Sequence, residues 1–525
     1  MTNSTTCDAA ERLSSRTTAA GQFQYVYDSN NGLLASVSNL AAGIQVVYGF
    51  DVIDRVTNIV WRNSTGGVLR AFDYSYNAAG MITNVARETA AESVGYGVDS
   101  LDRITSANAS YLTASYAWDL AGNPTLRIEN GVTNNCVLTN GNRLVSWAGG
   151  TNRFDTAGNV TNIVRGGVNW GLIWNGQYQL TEMRSNNVAV ERYGYDALGR
   201  RAWTWDGAAT NYHLYNGIHV MADVTATGSP IRTYSYSAGI DNLSAITVHT
   251  GAVAKTYYCL TDHAGTVHAL ADNTGAVVKS YRFDPWGRVL GTWNGAGQSI
   301  AASAIGNRYL LHGREYSWRT DLYYFRARYF DPQTARWLSK DPLGIAGGAN
   351  LYQTMNDNVV RFRDPSGNCS QNSSGFWHSF GNALNNTADA IGTAFGAEIY
   401  DLTHLSWSAQ MYRDAANRLW STETPVVPSA TPYVATALGV SASASIVALV
   451  AMTGLNNSRG QSPTPPGWNN SWQQLPGTRN QSGMNWWDSN GGEWRYHQGG
   501  DTWHPVPHWD YNPWDSWNSP WQNVP

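Results

Sequence analysis

Charge is scarce in this chain. Asp, Glu, Lys and Arg make up 14% of its 525 residues, against about 25% in an average globular domain. Lysine is nearly missing, occurring only as Lys255, Lys279 and Lys340, so almost every cation is an arginine. The net charge of -4 gives no general attraction to nucleic acid or anionic lipid. Cysteine is also rare. Cys7, Cys136, Cys259 and Cys369 are widely separated and form no C-x-x-C pair, which argues against a disulfide framework or a cysteine metal site. The first thirty residues lack a basic stretch followed by an apolar one, so no signal peptide is visible. Export by another route, or descent from a longer gene product, is the expectation.

Aromatic residues and glycine are abundant instead, with 24 Trp, 29 Tyr and 52 Gly. Disordered chains have few aromatics and coiled coils need charged heptads, so both classes are excluded. The length allows roughly three to five domains. A motif recurs along the front half: aromatic-x-aromatic-Asp/Asn, a few residues often including Gly, then an apolar residue and Thr or Ser. It reads YVYDSNNGLLASV from Tyr25, YGFDVIDRVTNI from Tyr48, YSYNAAGMITNV from Tyr74, YGVDSLDRITSA from Tyr96 and YAWDLAGNPTL from Tyr116. It returns near Arg153, Ile173 and Tyr193. The marks Asp28, Asp51, Asn77, Asp99 and Asp119 are 23, 26, 22 and 20 residues apart, a period that fits one β-hairpin per repeat. Alternating apolar and polar positions predict strands, and the Asp/Asn and Gly between them predict turns. One hairpin cannot bury its aromatic face, so neighbouring hairpins must join into a continuous sheet. The expected fold is mainly antiparallel β.

These segments resemble the YD repeats of RHS proteins. Residues 257–367 sharpen the likeness: YYCLTDHAGTVHALADNTGAVVKSYRFDPWGRVLG carries a D-H-x-G turn and a Y-x-F-D-P-x-G turn. The following GNRYLLHGREYSWRTDLYYFRARYFDPQTARWLSKDPLGIAGGANLY is similar to the C-terminal core of RHS proteins. The resemblance implies β-hairpins wound into a shell, with repeats over 1–255 and the core over 256–367, carrying a variable C-terminal effector.

In RHS proteins and the C components of insecticidal Tc toxins, the core ends in an aspartate-dependent self-cleavage element with the pattern N-L-Y-x-Y-V-x-N-N-P-V-x-x-x-D-P-x-G-L. This chain reads Asn350-Leu351-Tyr352, then QTMNDNVVRFR, then Asp364-Pro365-Ser366-Gly367-Asn368. The resemblance assigns the catalytic carboxylate to Asp364, with Asp341 as second candidate, Arg361 and Arg363 as support for a carbonyl or carboxylate, and Gly367-Asn368 as the scissile bond. Paired carboxylates sharing a proton can activate water. Asp357, Val359 and Asn368 depart from the pattern, and Asn368 in place of Leu predicts slow cleavage or none. The other reading of DPLG and DPSG is that both are plain turn sequences.

Composition shifts after Gly367. Between Phe376 and Trp420, apolar residues recur every three or four positions, which predicts an amphipathic helical region within 368–432. Residues 433–455 form an uncharged run long enough to cross a membrane as a helix. They are either a buried Ala-rich helix or a transmembrane, membrane-contacting element. Residues 456–475 read as a linker. The tail, 476–525, collects tryptophans with His497, His504, His508 and Asp510 in GGEWRYHQGGDTWHPVPHWDYN. This cluster can bind a divalent metal or serve as acid and base. The Pro505-Val506-Pro507 spacer keeps His504 and His508 off one helical face. In the structural alternative, Trp and His stack to stabilise a miniature domain.

Two functions follow. The first is a delivery and encapsulation protein of the polymorphic-toxin type, secreted or at the bacterial cell surface, whose tail is a hydrolase or nuclease-like effector. It would have an immunity protein and a secretion-system or cap partner. With only Arg479 and Arg495 as tail cations, nucleic acid as its substrate is not indicated by charge. The second is a cell-surface β-repeat adhesion protein whose C-terminal module binds without catalysis.

Overall fold

The computed structural model describes residues 4–147, 149–237, 239–249, 251, 253–300 and 305–368. Beyond these it describes only the backbone of the strands Gln371–Asn372, Gln473–Pro476, Met484–Trp487, Glu493–His497, His508–Asn512 and Gln522–Val524.

Asp51 shows why each repeat turns where it does. Its N–H donates to Arg55 O (2.9 Å), and Asp54 N–H donates back to Asp51 O (3.0 Å). Its Oδ1 accepts the N–H groups of Ile53 (3.1 Å) and Arg55 (3.0 Å), while Arg55 Nε donates to Oδ2 at 2.6 Å. The chain reverses within five residues because one short carboxylate satisfies the backbone donors that the reversal exposes. The fourth residue is left-handed, φ 64° at Asp54 and 76° at Gly80, which is why Gly or a short Asp usually stands there. Burial opposes ionisation of Asp51, but the donors of Arg55 and Ile53 outweigh it and hold the carboxyl below its ordinary range. Asp8, Asp99 and Asp196 repeat the pattern with Arg12, Arg103 and Arg200. Asp119 and Asp155 use Asn123 and Asn159 instead.

Successive turns are also bonded to each other. The aromatic residue just before one turn donates to the carbonyl five residues beyond the Asp or Asn of the preceding turn. Tyr27 reaches Leu13 O (2.9 Å), Trp118 reaches Ile104 O (2.8 Å), Trp174 reaches Val160 O (2.7 Å) and Tyr195 reaches Leu180 O (2.7 Å). Where the preceding turn carries Arg, its guanidinium can lie against the same ring, as Arg12 does on Tyr27 (4.3 Å) and Arg200 on Tyr215 (4.6 Å). The first aromatics of the motif, Tyr25, Tyr74, Tyr116 and Tyr193, are buried.

The sheets are meanders in which each strand pairs antiparallel with its sequence neighbours. Thirteen strands run from Ser4–Cys7 to Val132–Asn135, and sixteen from Val137–Thr139 to Val289–Asn294. A four-stranded sheet follows, made of Glu315–Tyr316, Tyr323–Phe325, Arg328–Asp331 and Arg336–Trp337. Its Tyr316, Tyr323, Phe325, Phe330 and Trp337 join one apolar cluster with Ile104, Leu112 and Tyr116 of the first sheet and Tyr234, Ile246 and Trp286 of the second. A second cluster brings residues 13–85 against Ala245, Tyr258 and Leu260. Buried ions tie the core segment to the repeats, with Arg165 on Asp331 (2.9 Å), Arg314 on Asp241 (2.9 Å) and Arg201 on Glu315. The mainly β fold expected from the repeats is therefore present.

The helical region expected within 368–432 falls outside the described residues except at its start, where Gln371–Asn372 is a strand paired with Phe362–Arg363. The apolar run 433–455 also falls outside them. Among the described residues no helix is long and apolar enough to cross a membrane. In the second compact unit, residues 435–525, five tail strands form an antiparallel meander.

Tyr76 tests the bond between turns, since its hydroxyl donates to Val56 O (2.6 Å) and Arg55 stacks on its ring (4.5 Å). Tyr76→Phe should cost about 1–2 kcal/mol by stranding that carbonyl. Tyr76→Ala should cost about 3 kcal/mol or more by also removing the ring. Urea unfolding midpoints of the two variants check the order.

Candidate cleavage site

The core strand Arg328–Asp331 carries a guanidinium into an almost closed environment. Arg328 is 3% exposed and its Cζ lies 4.2 Å from the Trp337 ring centroid. A buried cation must find counter-charge, and it finds two. Nη1 lies 3.0 Å from Asp341 Oδ2, and Nη2 lies 3.1 Å from Asp364 Oδ2. Its Nε donates to the carbonyl oxygen of Gly367. One planar group thus joins both candidate carboxylates and the candidate scissile carbonyl.

The second oxygen of Asp364 organises the peptide that follows. Oδ1 accepts the N–H of Gly367 (2.8 Å) and of Asn368 (3.1 Å), and the Ser366 hydroxyl (3.3 Å). Gly367 is left-handed (φ 77°), and a Cβ there would come within 2.2 Å of Phe325 O, so only glycine fits. The Gly367-Asn368 bond sits in the hairpin loop between the paired strands Phe362–Arg363 and Gln371–Asn372. Burial pushes the Asp341 carboxyl up from its ordinary range, against the pull of Arg328. Arg328 is lowered by the same burial, against the pull of Asp364 and Asp341.

Chemically, the arrangement can stabilise negative charge developing on the Gly367 oxygen through Arg328. The two carboxylates meet through Arg328.

Arg361 and Arg363, the supporting residues that the resemblance names, make these contacts. Arg361 lies 3.5 Å from Asp102 and over the Phe362 ring (5.3 Å). Arg363 donates to Ile240 O (3.3 Å), and burial lowers its pKa to about 10. The residue that reaches the candidate scissile carbonyl is Arg328, which no local motif marks.

The tail residues are placed by strand register. His497 is directly opposite His508, and Asp510 is opposite Arg495. His504 lies outside the described residues. Among residues with described side chains, no three His, Cys, Asp or Glu gather as a metal site.

A family model described as Teneurin YD-shell matches residues 71–364. The chain belongs to the Teneurin YD-shell family. Its relatives include the double-stranded DNA deaminase toxin A of Burkholderia cenocepacia, 26% identical over 344 residues, covering 60% of this chain and 23% of that protein. The toxin protein Tse5 of Pseudomonas aeruginosa is 27% identical over 264 residues, 43% of this chain and 19% of that one. The tRNA nuclease WapA of Bacillus subtilis is 29% identical over 203 residues, 37% of this chain and 8% of that one. Among solved structures, the Photorhabdus luminescens Tc holotoxin pore matches with a TM-score of 0.55 at 20% identity, covering 70% of this chain and 21% of that one. The chain spans less than a quarter of the length of each of these relatives. The RHS-type likeness drawn from the motifs is thereby established for this YD-shell protein.

One departure from the RHS pattern shapes the YD-shell core. Met355, Asn356 and Asp357 are successive left-handed residues (φ 46°, 51° and 57°), a conformation that costs on the order of 1–2 kcal/mol per residue. Asp357 is fully buried, with Oδ2 accepting from Gln353 Nε2 (2.7 Å) and Oδ1 without a hydrogen-bond partner among the described residues. Burial, only partly offset by Arg336, pushes its pKa up from 3.8 to about 7. The folded state therefore favours the neutral acid. Between pH 4 and 7 the unfolded chain gives up a proton that the folded chain keeps, so this residue's contribution to stability is intact below pH 4 and lost as pH rises toward 7. Asp357→Asn cannot ionise, and its amide offers a donor where Oδ1 has none. The variant should be more stable than the parent at pH 8, by on the order of 2 kcal/mol, and no different at pH 4. Denaturant titrations at the two pH values provide the check.

Proposed function

We propose that this chain is an RHS-type delivery protein whose residues 1–367, repeats over 1–255 and core over 256–367, encapsulate a C-terminal effector. Residues 368–432 and 433–455 would link the core to the effector, residues 456–475 would be a linker, and residues 476–525 the effector itself. The observation that carries the reading is the convergence of Asp341, Asp364 and the Gly367 carbonyl on Arg328, at the point where the repeat composition ends. An element that only terminated the sheet would not need a buried guanidinium on the last carbonyl. The relatives support the reading, because several are named as toxins or nucleases. Interbacterial competition, a secreted or surface location, a nearby immunity protein and a secretion or cap partner go with it.

Cleavage is read by incubating purified full-length protein and sequencing fragments. A C-terminal fragment beginning at Asn368 should accumulate slowly. It should be absent in Asp364→Asn, which removes the ionisable group at nearly constant shape, and in Arg328→Met, which removes the carbonyl's donor. Prolonged persistence of one intact wild-type band would defeat the cleavage role.

Toxicity is tested by expressing the full chain in a bacterial cytoplasm. Growth should stop for the wild type, continue for a chain ending at residue 475, and recover in the double variant His504→Ala, His508→Ala at unchanged soluble expression. If the full chain is harmless at high expression, the adhesion reading becomes the better account.

A further inference from the structure

The D-H-x-G turn takes no part in the cleavage site, and its histidine faces a junction of three parts of the chain. A cavity of about 70 Å3 lies where the strands Val68–Tyr76 and Ile82–Arg87 of the first sheet meet that turn, the strand Val267–Ala271 and the core segments around His312 and Val359. His263, His268 and His312 all line it, and all three are buried. Each ring ties parts of the junction together. His263 Nε2–H donates to the core carbonyl Val360 O (2.8 Å), and the ring lies edge-to-face with Tyr74 of the first sheet (centroids 4.7 Å apart). His268 stands edge-to-face with Phe72 of the first sheet (5.0 Å), donates from Nε2 to Asp262 Oδ2 (3.1 Å) and accepts at Nδ1 from Arg87 Nη1 (3.3 Å). His312 Nε2–H donates to Val359 O (2.9 Å), while its backbone N–H donates to Thr266 Oγ1 of the second sheet (3.2 Å).

These partners fix the protonation of the rings. A carbonyl only accepts, so Nε2 of His263 and of His312 carries a hydrogen; a guanidinium only donates, so Nδ1 of His268 is bare. A second proton on His268 would destroy the bond from Arg87 and set two cations face to face. On His312 it would enter at Nδ1, which has no hydrogen-bond partner among the described residues, in a side chain 2% exposed. The first sheet faces the cavity with Arg70, Arg87 and Glu92, of which Arg70 pairs with Glu88 and Glu92 with Arg282. The second sheet adds Asp262, which accepts the N–H groups of Ala264 and Thr266, and Asp284, which pairs with Arg288. Tyr74, Tyr96, Tyr111 and Tyr281 contribute hydroxyls that are neutral at pH 7 and below. From the core, Arg363 acts on His263 and His312. Burial holds all three imidazoles below their ordinary range, to about 4 at His268 and about 3 at His312. Arg87 and Arg363 add to it and Asp262 opposes it.

We propose that His263, His268 and His312 form an acid-operated latch at the junction of the two repeat sheets with the core, closed while the three rings are neutral and opened by their protonation. A freed histidine takes up a proton near pH 6.5 and a latched one does not, so the latch's stability is intact above about pH 7 and falls as pH drops below 6.5. Between pH 7 and 5, His268 and His312 should each favour opening by about 20-fold. Asp357, two residues before Val359, titrates in the opposite sense, so the test is made in Asp357→Asn. The latch stands without the delivery reading; joined to it, acid becomes the cue that loosens the shell.

The test is hydrogen exchange of full-length Asp357→Asn protein at pH 7 and 5, corrected for intrinsic exchange rates. The reporters are the amides of Val267 and His312, which bond across from the second sheet to the core and back. Their protection should fall by about 100-fold or more at pH 5. The strands Val160–Arg165 and Val168–Trp174, which contain no histidine, should change less than about 10-fold. Adding His268→Gln and His312→Gln, whose amides can donate in place of Nε2 but cannot ionise, should shrink the fall at the reporters below about 10-fold. Each variant is compared with itself, so a cost independent of pH, such as strain at the left-handed residue 312 (φ 53°), cancels. If the combined variant does not fold at pH 7, His268→Gln alone should recover about 20-fold of the loss. Equal protection at the two pH values, a loss undiminished by the glutamines, or an equal loss in 160–174 overturns the latch. None of these readings depends on growth or on cleavage, so a latch without toxicity refutes the effector reading alone.

Discussion

The architecture depends on one small unit, an aspartate or asparagine whose side-chain oxygen takes the backbone donors of a tight reversal. The rest of its head group bonds a side chain four residues on, an Asp accepting from Arg or Asn and an Asn donating to Gln. Everything larger is this unit in series. The aromatic residue ahead of each turn reaches back to the preceding one, as Tyr27, Trp118 and Tyr195 do, so the reversals stack and the strands between them acquire a common register. A sheet edge of unpaired backbone is a liability in any long meander. Here the apolar faces converge on core residues such as Phe325, Phe330 and Trp337, which arrive only after 29 strands have been laid down.

The candidate cleavage site is built on the same unit. Asp341 accepts Leu343 N–H at Oδ1, with left-handed Gly344 three residues on. Asp364 accepts Asn368 N–H at Oδ1, with left-handed Gly367 three residues on. In a repeat, the second oxygen is met by a local Arg or Asn. At Asp341 and Asp364 it is met by Arg328 from a distant strand. DPLG and DPSG are therefore both turns of the repeat kind, and the proposed catalytic role would be added to the turn rather than replace it. Exchanging a local donor for a remote, buried one gives a structural turn a shared cation and a polarised carbonyl.

The repeats were legible in the sequence because their signal is local: period-two alternation, a turn residue and a glycine within a dozen positions. Asp364, Asp341 and the scissile pair could be located by motif for the same reason. Arg328 could not, since its partners lie 13 and 36 residues away and nothing in FRARYFDP distinguishes it from Arg326, which serves Asp241 instead. The structure shows why its nearest acid could not serve: Asp331 is engaged by Arg165. Arg361 and Arg363 attracted attention by sequence proximity, but in this fold short loops lead neighbours to different partners. His497 and His508 were legible as a cluster but not as a pair, because cross-strand register is set by loop length rather than composition.

Strict neighbour pairing has a consequence for how the molecule comes into being. Each strand needs only the one made just before it, so sheet growth can keep step with synthesis, and long-range closure is deferred. The deferred contacts belong to residues 307–368, among them the grip of Arg328 on Gly367. Under the proposed cleavage, a peptide bond whose reaction depends on that contact is, in effect, a completion signal. Severing it would report that the whole preceding sheet has been assembled, and a chain stalled or misregistered upstream would keep its tail attached.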